Sequence, residues 1–329
     1  MTAAAAGAAG AGTGAKLPQQ RPLTCTGHTR PVTDVSYSAV LGAGDFYLLS
    51  GCKDSNAILR GAHGNWIGTL SGHKGAIWSS RITPDAARSV TGSGDFSAKV
   101  WDNRTGQTLS TLPHSHIVRA VDVSDDGRFV LTGGFEKRLR LYDLNGPTVA
   151  AGTDALQPAM IREFACPGEV RFAALDSARG LVFNANDKEL QVWDLRTSQP
   201  LPSRFFDGAI TSVRLTEDRS SLICTAGKSV YVFGLDSSEL VFSVATPFVT
   251  SSASIHPSRD RIVVASSADL WVRTYSIPTG REIEVCKGHH GPIHAVSYSP
   301  DGFMYATGSE DGTVRLWETF PGTAYGPWK

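Results

Sequence analysis

The sequence predicts an all-β chain: a closed ring of seven four-stranded blades, a β-propeller, behind a disordered N-terminal tail. Three observations lead there. Short segments rich in β-branched and aromatic residues alternate apolar with polar, as half-buried strands do; examples are Ser97-Ala98-Lys99-Val100-Trp101 and Thr313-Val314-Arg315-Leu316-Trp317. Gly and Asp gather between them, at turn positions. The unit then recurs, ending at residues 60, 101, 142, 193, 233, 275 and 317, a period of about forty residues. One four-stranded sheet cannot bury both of its faces. Seven stacked around an axis can, and they leave only short edges.

The elements follow in chain order. Residues 1–20 are low-complexity Ala/Gly with no basic or strongly apolar leader pattern, which predicts a disordered tail rather than a signal peptide. A Gly-x-Gly-x-Gly-x-Lys run ends at Lys16 but lacks the spacing and the following Ser/Thr of a phosphate loop. Residues 21–329 are expected to form the ring. Residues 21–26 are the one spare strand candidate, so they are expected to close the ring as the outer strand of the last blade, with residues 320–329 near that seam. The first repeat opens at Gly27-His28 and ends at Arg60, where an aromatic would stand. The second runs from Gly72-His73 to Trp101-Asp102, the third from His114 to Tyr142-Asp143, and the fourth from Val170 to Trp193-Asp194. Weaker copies end at Phe233 and Tyr275, and the last runs from Gly288-His289 through a Ser-Pro-Asp-Gly turn to Trp317. These are WD40 repeats. The interval before Trp193 is about ten residues longer than the others, which predicts an insertion over 146–160, read as a surface loop between blades three and four or a docking loop.

Within the best repeats a His, Thr, Asp and Trp recur at fixed offsets. They are His73, Thr91, Asp95 and Trp101, then His289, Thr307, Asp311 and Trp317, with His114, Thr132, Glu136 and Tyr142 in the same places. The set resembles a catalytic triad. A catalytic triad occurs once, around an exposed nucleophile. This one repeats per blade and ends in an indole, which predicts a buried, hydrogen-bonded structural tetrad. It decays in the middle of the chain: Cys166 replaces the histidine of the fourth repeat, Gly227 the aspartate of the fifth, and the sixth keeps Asp269 without Gly-His. The middle of the ring is therefore expected to open first.

Lys and Arg number 31 against 31 Asp and Glu, so no global basic footprint marks a dedicated nucleic-acid binder. The five cysteines, Cys25, Cys52, Cys166, Cys224 and Cys286, are scattered without a Cys-x-x-Cys pair. That speaks against zinc and against a disulfide framework, and for a reducing compartment, cytoplasm or nucleus. The His289-His290 pair lacks further ligands at metal-binding spacing. No cofactor is expected, and no apolar run is long enough for a membrane helix.

Several segments go beyond a generic repeat: LTCTGHTRPV at 23–32, GCKDSNAILR at 51–60, GNWIGTLSGHKGAIW at 64–78, LTGGFEKRLRLYDL at 131–144, KGHHGPIHAVSYSPDG at 287–302 and the terminal YGPWK. Together they resemble the serine-threonine kinase receptor-associated protein family, also called Unr-interacting protein. The more specific marks are a first blade ending in Leu59-Arg60 and the Tyr-Gly-x-Trp-Lys terminus. The fourth blade departs from the family, with Ala165-Cys166 in place of Gly-His. The resemblance implies a non-enzymatic scaffold attached to an RNA–protein assembly complex of the survival-of-motor-neuron type, which loads Sm proteins onto spliceosomal RNA. It also implies contact with a cold-shock-domain RNA-binding protein and an adaptor role in receptor signalling. On this reading the chain is a monomeric propeller within a larger complex, and RNA is reached through protein partners. The WD-repeat i subunit of translation initiation factor three shares the layout and is the alternative member of this class.

In a propeller, two positions per blade face one mouth of the ring. The residue before the turn acid gives Lys53, Gly94, Phe135, Asn186, Ala268 and Glu310; the fifth residue after the opening histidine gives Thr33, Trp78, Arg119, Arg171, Thr211, Ser251 and His294. Trp78, Arg119, Phe135 and Arg171, with Lys53 and His294, are expected to form the docking face, since interface hot spots are rich in Trp and Arg. A direct RNA-binding propeller would use the same cations, with Trp78 stacking a base. An enzyme would need a carboxylate pair, metal ligands or a nucleophile outside the tetrads, and the sequence has none at recognisable spacing.

Overall fold

The computed structural model describes residues 20–150 and 156–322. Among the described residues it is an all-strand ring of seven antiparallel four-stranded sheets. Six blades are contiguous in sequence, spanning 32–71, 77–113, 118–165, 172–205, 210–245 and 250–287. The seventh combines 293–318 with the strand Leu23–Cys25, whose residues pair with Leu316, Arg315 and Val314. One end of the chain thus closes the sheet begun by the other.

Burial follows the order of strands within each blade. The second strand is buried on both faces, as in Met304–Ser309 and Ser221–Ala226, because each blade is covered on both sides by its neighbours. The outer strand faces solvent, so Trp66 and Ile67 on Trp66–Ser71 are about half exposed. Apolar side chains fill the layers between blades. Val90, Ala98, Val100 and Leu112 of blade two meet Val118, Val121, Val130 and Tyr142 of blade three. The closing seam is equally full: Cys25, Val32, Val35, Phe46 and Leu48 pack on Ala295, Met304, Ala306, Val314 and Leu316. Blades approach closely where small residues allow it. A Cβ on Gly308 would lie 2.6 Å from Val32 of the next blade.

Three sequence expectations need correction or limits. The insertion at 146–160 is not a loop between blades. It lengthens the two outer strands of blade three, Arg138–Ala150 and Leu156–Ala165, which pair with each other across a register shift between Asp143 and Thr148; residues 151–155 lie outside the described residues. An existing hairpin supplies the partner for the added backbone. Gln20, assigned to the tail, belongs to the ring: its amide donates to both Glu284 oxygens (2.9 and 3.0 Å) and to the Glu318 carbonyl (3.0 Å). The rest of the tail, 1–19, lies outside the described residues. Phe320 packs on the His256 ring (5.8 Å) and under the Arg261 guanidinium (4.5 Å), at the seam of blades six and seven. Residues 323–329 also lie outside the described residues.

The channel is plugged by charge. Asp34 accepts from Ser80 N (2.9 Å), Ser79 Oγ (3.1 Å) and Arg81 Nη1 (2.7 Å), and it pairs with Arg214 from across the ring. Arg81 also reaches Asp122 (3.3 Å). Burial alone would raise the Asp34 carboxyl. Arg81, Arg214 and the Ser80 N–H outweigh it and hold it below its ordinary value. The plug joins blades one, two, three and five, and it divides the channel into two recesses.

Candidate docking site at the channel mouth

The tetrad residues lie inside the blades. His73 Nδ1 bonds Asp95 (2.8 Å), its Nε2 bonds Thr91 (2.7 Å), and the Trp101 indole donates to the same Thr91 hydroxyl (2.8 Å). His289, Asp311, Thr307 and Trp317 repeat this at 2.9, 2.7 and 2.9 Å. In blade three His114 bonds Glu136 (2.5 Å) and Thr132 (3.1 Å), but the Tyr142 hydroxyl is placed by Arg140. Burial depresses His73 and His289 and outweighs the pull of Asp95 and Asp311, which favours the neutral ring. The histidine side chains are fully buried. No substrate can reach them, so the chemistry they do is structural.

Sequence reasoning missed a fourth set. His28 bonds Asp54 (3.2 Å) and Ser50 (2.9 Å) in blade one. Its His-to-Asp interval is four residues longer than in blade two, because the chain loops out around Leu41–Gly44. A Ser-His-Asp group of this kind mimics a hydrolase triad, yet Ser50 is fully buried and also donates to the Ile58 carbonyl. Arg60, in the tryptophan's place, donates to Gly64 O (3.2 Å) and Thr26 O and lies over Trp66 (5.4 Å). His28, Cys52 and Asp54 also present possible metal ligands within 4.8 Å. Cys52 repeats the hydrogen bonding of Ser93 and Ser309, however. It donates to Arg30 O (3.0 Å) and accepts from Asp54 N, as Ser93 serves Gly75 O and Asp95 N. Burial pushes its thiol up to about 12. A turn-closing thiol accounts for the cluster without an ion.

On the side of the turns that carry Asp95 and its equivalents, the channel opens into a recess of 400 Å³. Trp78, Arg119, Arg171, Lys53 and His294 all line it, with Thr33, Thr211 and Ser251. They come from the inner strands of the blades or from residues just before them, and the turn before blade one's third strand adds Lys53. Arg119 lies over the Trp78 indole (4.0 Å) and Lys53 approaches the same ring (5.5 Å). Glu310 pairs with Lys53 (3.9 Å) and His294, and Arg171 faces Asp187 (3.6 Å). Burial, followed by the neighbouring Arg171 charge, depresses Arg119. Phe135 is not in the recess. It packs on His116 (5.5 Å), which packs on the half-exposed Phe96 (5.3 Å), farther out on the same face. The floor residues Arg81 and Arg214 were not anticipated; a charge next to the last residue of an inner strand was their signal.

A ring of this build, with its tetrads sealed in the blades and a basic, aromatic mouth, defines a WD40 propeller. The WD domain, G-beta repeat family matches residues 64–102, 106–143 and 280–318. The serine-threonine kinase receptor-associated protein of Homo sapiens is 41% identical over 312 residues, covering 94% of this chain and 86% of that protein. That of Dictyostelium discoideum is 38% identical over 305 residues, covering 91% and 99%. The chain belongs to the serine-threonine kinase receptor-associated protein family. A more distant relative is eukaryotic translation initiation factor 3 subunit I of Culex quinquefasciatus, 28% identical over 320 residues and covering 90% and 96%.

Proposed function

We propose that this chain is a non-enzymatic scaffold for RNA–protein assembly of the survival-of-motor-neuron type, serving spliceosomal particle biogenesis and mRNA processing in cytoplasm and nucleus. The observation that carries this is the convergence of Trp78, Arg119, Arg171, Lys53 and His294 on one recess in a chain of this family. Buried tetrads support a ring that presents surfaces rather than one that turns over substrate. The relatives' name ties them to a serine-threonine kinase receptor, and an adaptor role in such signalling is the companion proposal. The chain acts as a single propeller held within a larger complex.

Protein docking is favoured over direct RNA binding by the state of Trp78. Its ring is already covered by Arg119 at 4.0 Å, which takes the face a base would stack on. Affinity purification of the tagged protein, with and without ribonuclease, tests the reading. Sm-assembly proteins or a cold-shock-domain protein retained after ribonuclease are expected. Initiation factor three subunits in their place would reassign the chain to that complex, and loss of every partner with ribonuclease would overturn the scaffold in favour of RNA.

A further inference from the structure

We propose that the recess around Trp78 is an anion site that seats a carboxylate-rich, Asp/Glu-bearing segment of a partner protein. The inference rests on the scaffold reading and supplies the chemistry of the partner.

Most polar groups of the recess are satisfied within it, Arg171 by Asp187 (3.6 Å) among them. Asp34 is consumed by Arg81 and Arg214 on the floor. Glu310 is consumed by Lys53 and His294 on the rim. The Thr33 hydroxyl donates to Ile77 O (2.8 Å), and the Thr211 hydroxyl bonds Thr225 Oγ1 (2.8 Å). Two groups are left over. The Arg119 Nε–H is buried without an acceptor, and so is the hydroxyl of Ser251, whose residue is only 8% exposed. Among the described residues Arg119 forms no ion pair; burial first, then the nearby Arg171 charge, depresses it, and Glu169 offsets only part of that.

Asp187, 3.6 Å from Arg171, and Glu169 near Arg119 offset the repulsion between the two guanidinium groups only in part, and an anion between them removes the rest. Both donors are covered, so a small side-chain shift brings a ligand oxygen to them, and the hydrogen bonds it then accepts remove the cost of a buried donor without an acceptor. Carboxylates supply that oxygen, and Arg matches them with two parallel N–H donors. Nucleic acid fits less well. Arg119 and Lys53 occupy the surroundings of Trp78, and a base would have to displace the guanidinium to reach the ring.

The test is the binding of a short, labelled Asp/Glu-rich peptide to the full chain, followed by fluorescence anisotropy. Arg119→Gln and Arg171→Gln are each expected to weaken binding at least about tenfold, as interface hot spots do. Ser251→Ala is expected to weaken it about threefold, by loss of one hydrogen bond. Lys74→Gln removes the same charge from an exposed site on the neighbouring turn and is expected to leave affinity within about twofold. Circular dichroism checks that each variant is folded. Arg171 is partly exposed, so its variant keeps the test alive if Arg119→Gln unfolds. Equal losses for Lys74→Gln and Arg119→Gln would reveal diffuse attraction and overturn the site. Single-stranded RNA that outcompetes the peptide, and loses affinity in Arg119→Gln, would overturn the ligand class. The two readings fail separately. If the doubly substituted protein still retains the wild-type partners after ribonuclease, the anion site fails and the scaffold stands. If the wild-type protein retains none, the scaffold fails whatever the peptide does.

Discussion

Blades two and four share one topology and one period, yet they hold themselves together differently. In blade two the Thr91 hydroxyl sits between His73 and Trp101, and Asp95 fixes the histidine and the turn. Every polar atom of that set has a partner. In blade four Cys166 replaces the histidine, and Asn184 donates to its sulfur (3.0 Å). Asn184 Oδ1, Gln191 Oε1 and Trp193 Nε1 are buried with no hydrogen-bond partner among the described residues. Trp193 packs on Phe164 instead (5.5 Å), and Asp187 turns outward to Arg171. Blade five completes the series: Phe206 stands at the histidine's place and clusters with Tyr231 (5.0 Å) and Phe233 (6.2 Å). The same position in a propeller can thus hold a satisfied polar chain or an apolar plug. The polar chain is specific and all-or-none, because losing one member strands the others.

The sharpest way to break the comparison is to remove the indoles. Trp101→Ala is expected to cost about 3–5 kcal/mol, since it opens a cavity in a fully buried site and frees the Thr91 hydroxyl. Trp193→Ala, at a partly exposed ring with an unpaired N–H, is expected to cost roughly half as much. Denaturant midpoints of the two variants measure the difference, and equal losses would erase it.

The acids come next. Asp95→Ala leaves His73, Lys74 N and Ser97 without their acceptor and is expected to cost about 2–3 kcal/mol. Asp187→Ala, at an exposed pair, is expected to fall within about 0.5 kcal/mol.

Acid should separate the two kinds of blade. Burial depresses His28, His73 and His289 below their ordinary 6.5, so the unfolded chain binds these protons more readily. Their contribution is full above pH 6.5 and declines as pH falls through that value towards the folded one. Asp95 and Asp311 act in the same direction at lower pH. Burial would raise them, but hydrogen bonds from Ser97, Lys74, His289 and Thr313 hold them below 3.8, so a second loss begins as pH falls through 3.8. Cys166, pushed up to about 11 by burial, does not titrate in this range. Amide exchange followed below pH 6.5 should therefore show blades two and seven losing protection before blade four loses any of its own.

The smallest expected difference is in exchange at neutral pH. Amides of 172–205, with three unsatisfied polar atoms beside them, are expected to exchange faster than those of 293–318. Slower exchange in blade four would mean that apolar packing outweighs the tetrad.

The blade count, the period and the closing strand at Leu23–Cys25 were legible in the sequence. So were the offsets of His73, Thr91, Asp95 and Trp101. All of these are local: a two-residue alternation, a turn and a repeat length specify pairing between neighbours in the chain. The blade-one set escaped because the loop around Leu41–Gly44 displaces its offsets. The insertion escaped because composition cannot tell a loop from the lengthening of a hairpin whose partner is already in place.

Sequence alone determined the kind of blade and how many there are. Only the tertiary structure decided which side chains meet at the centre. Asp34 and Arg214 touch across 180 residues of chain, and Trp78, Arg119, Arg171 and His294 share a recess that no local spacing encodes. Phe135, chosen by the same positional rule, falls outside it. The reason is geometric. Hydrogen bonds along a strand fix neighbours a few ångströms apart, whereas the convergence of seven inner strands on one axis depends on the curvature that every blade-to-blade contact contributes.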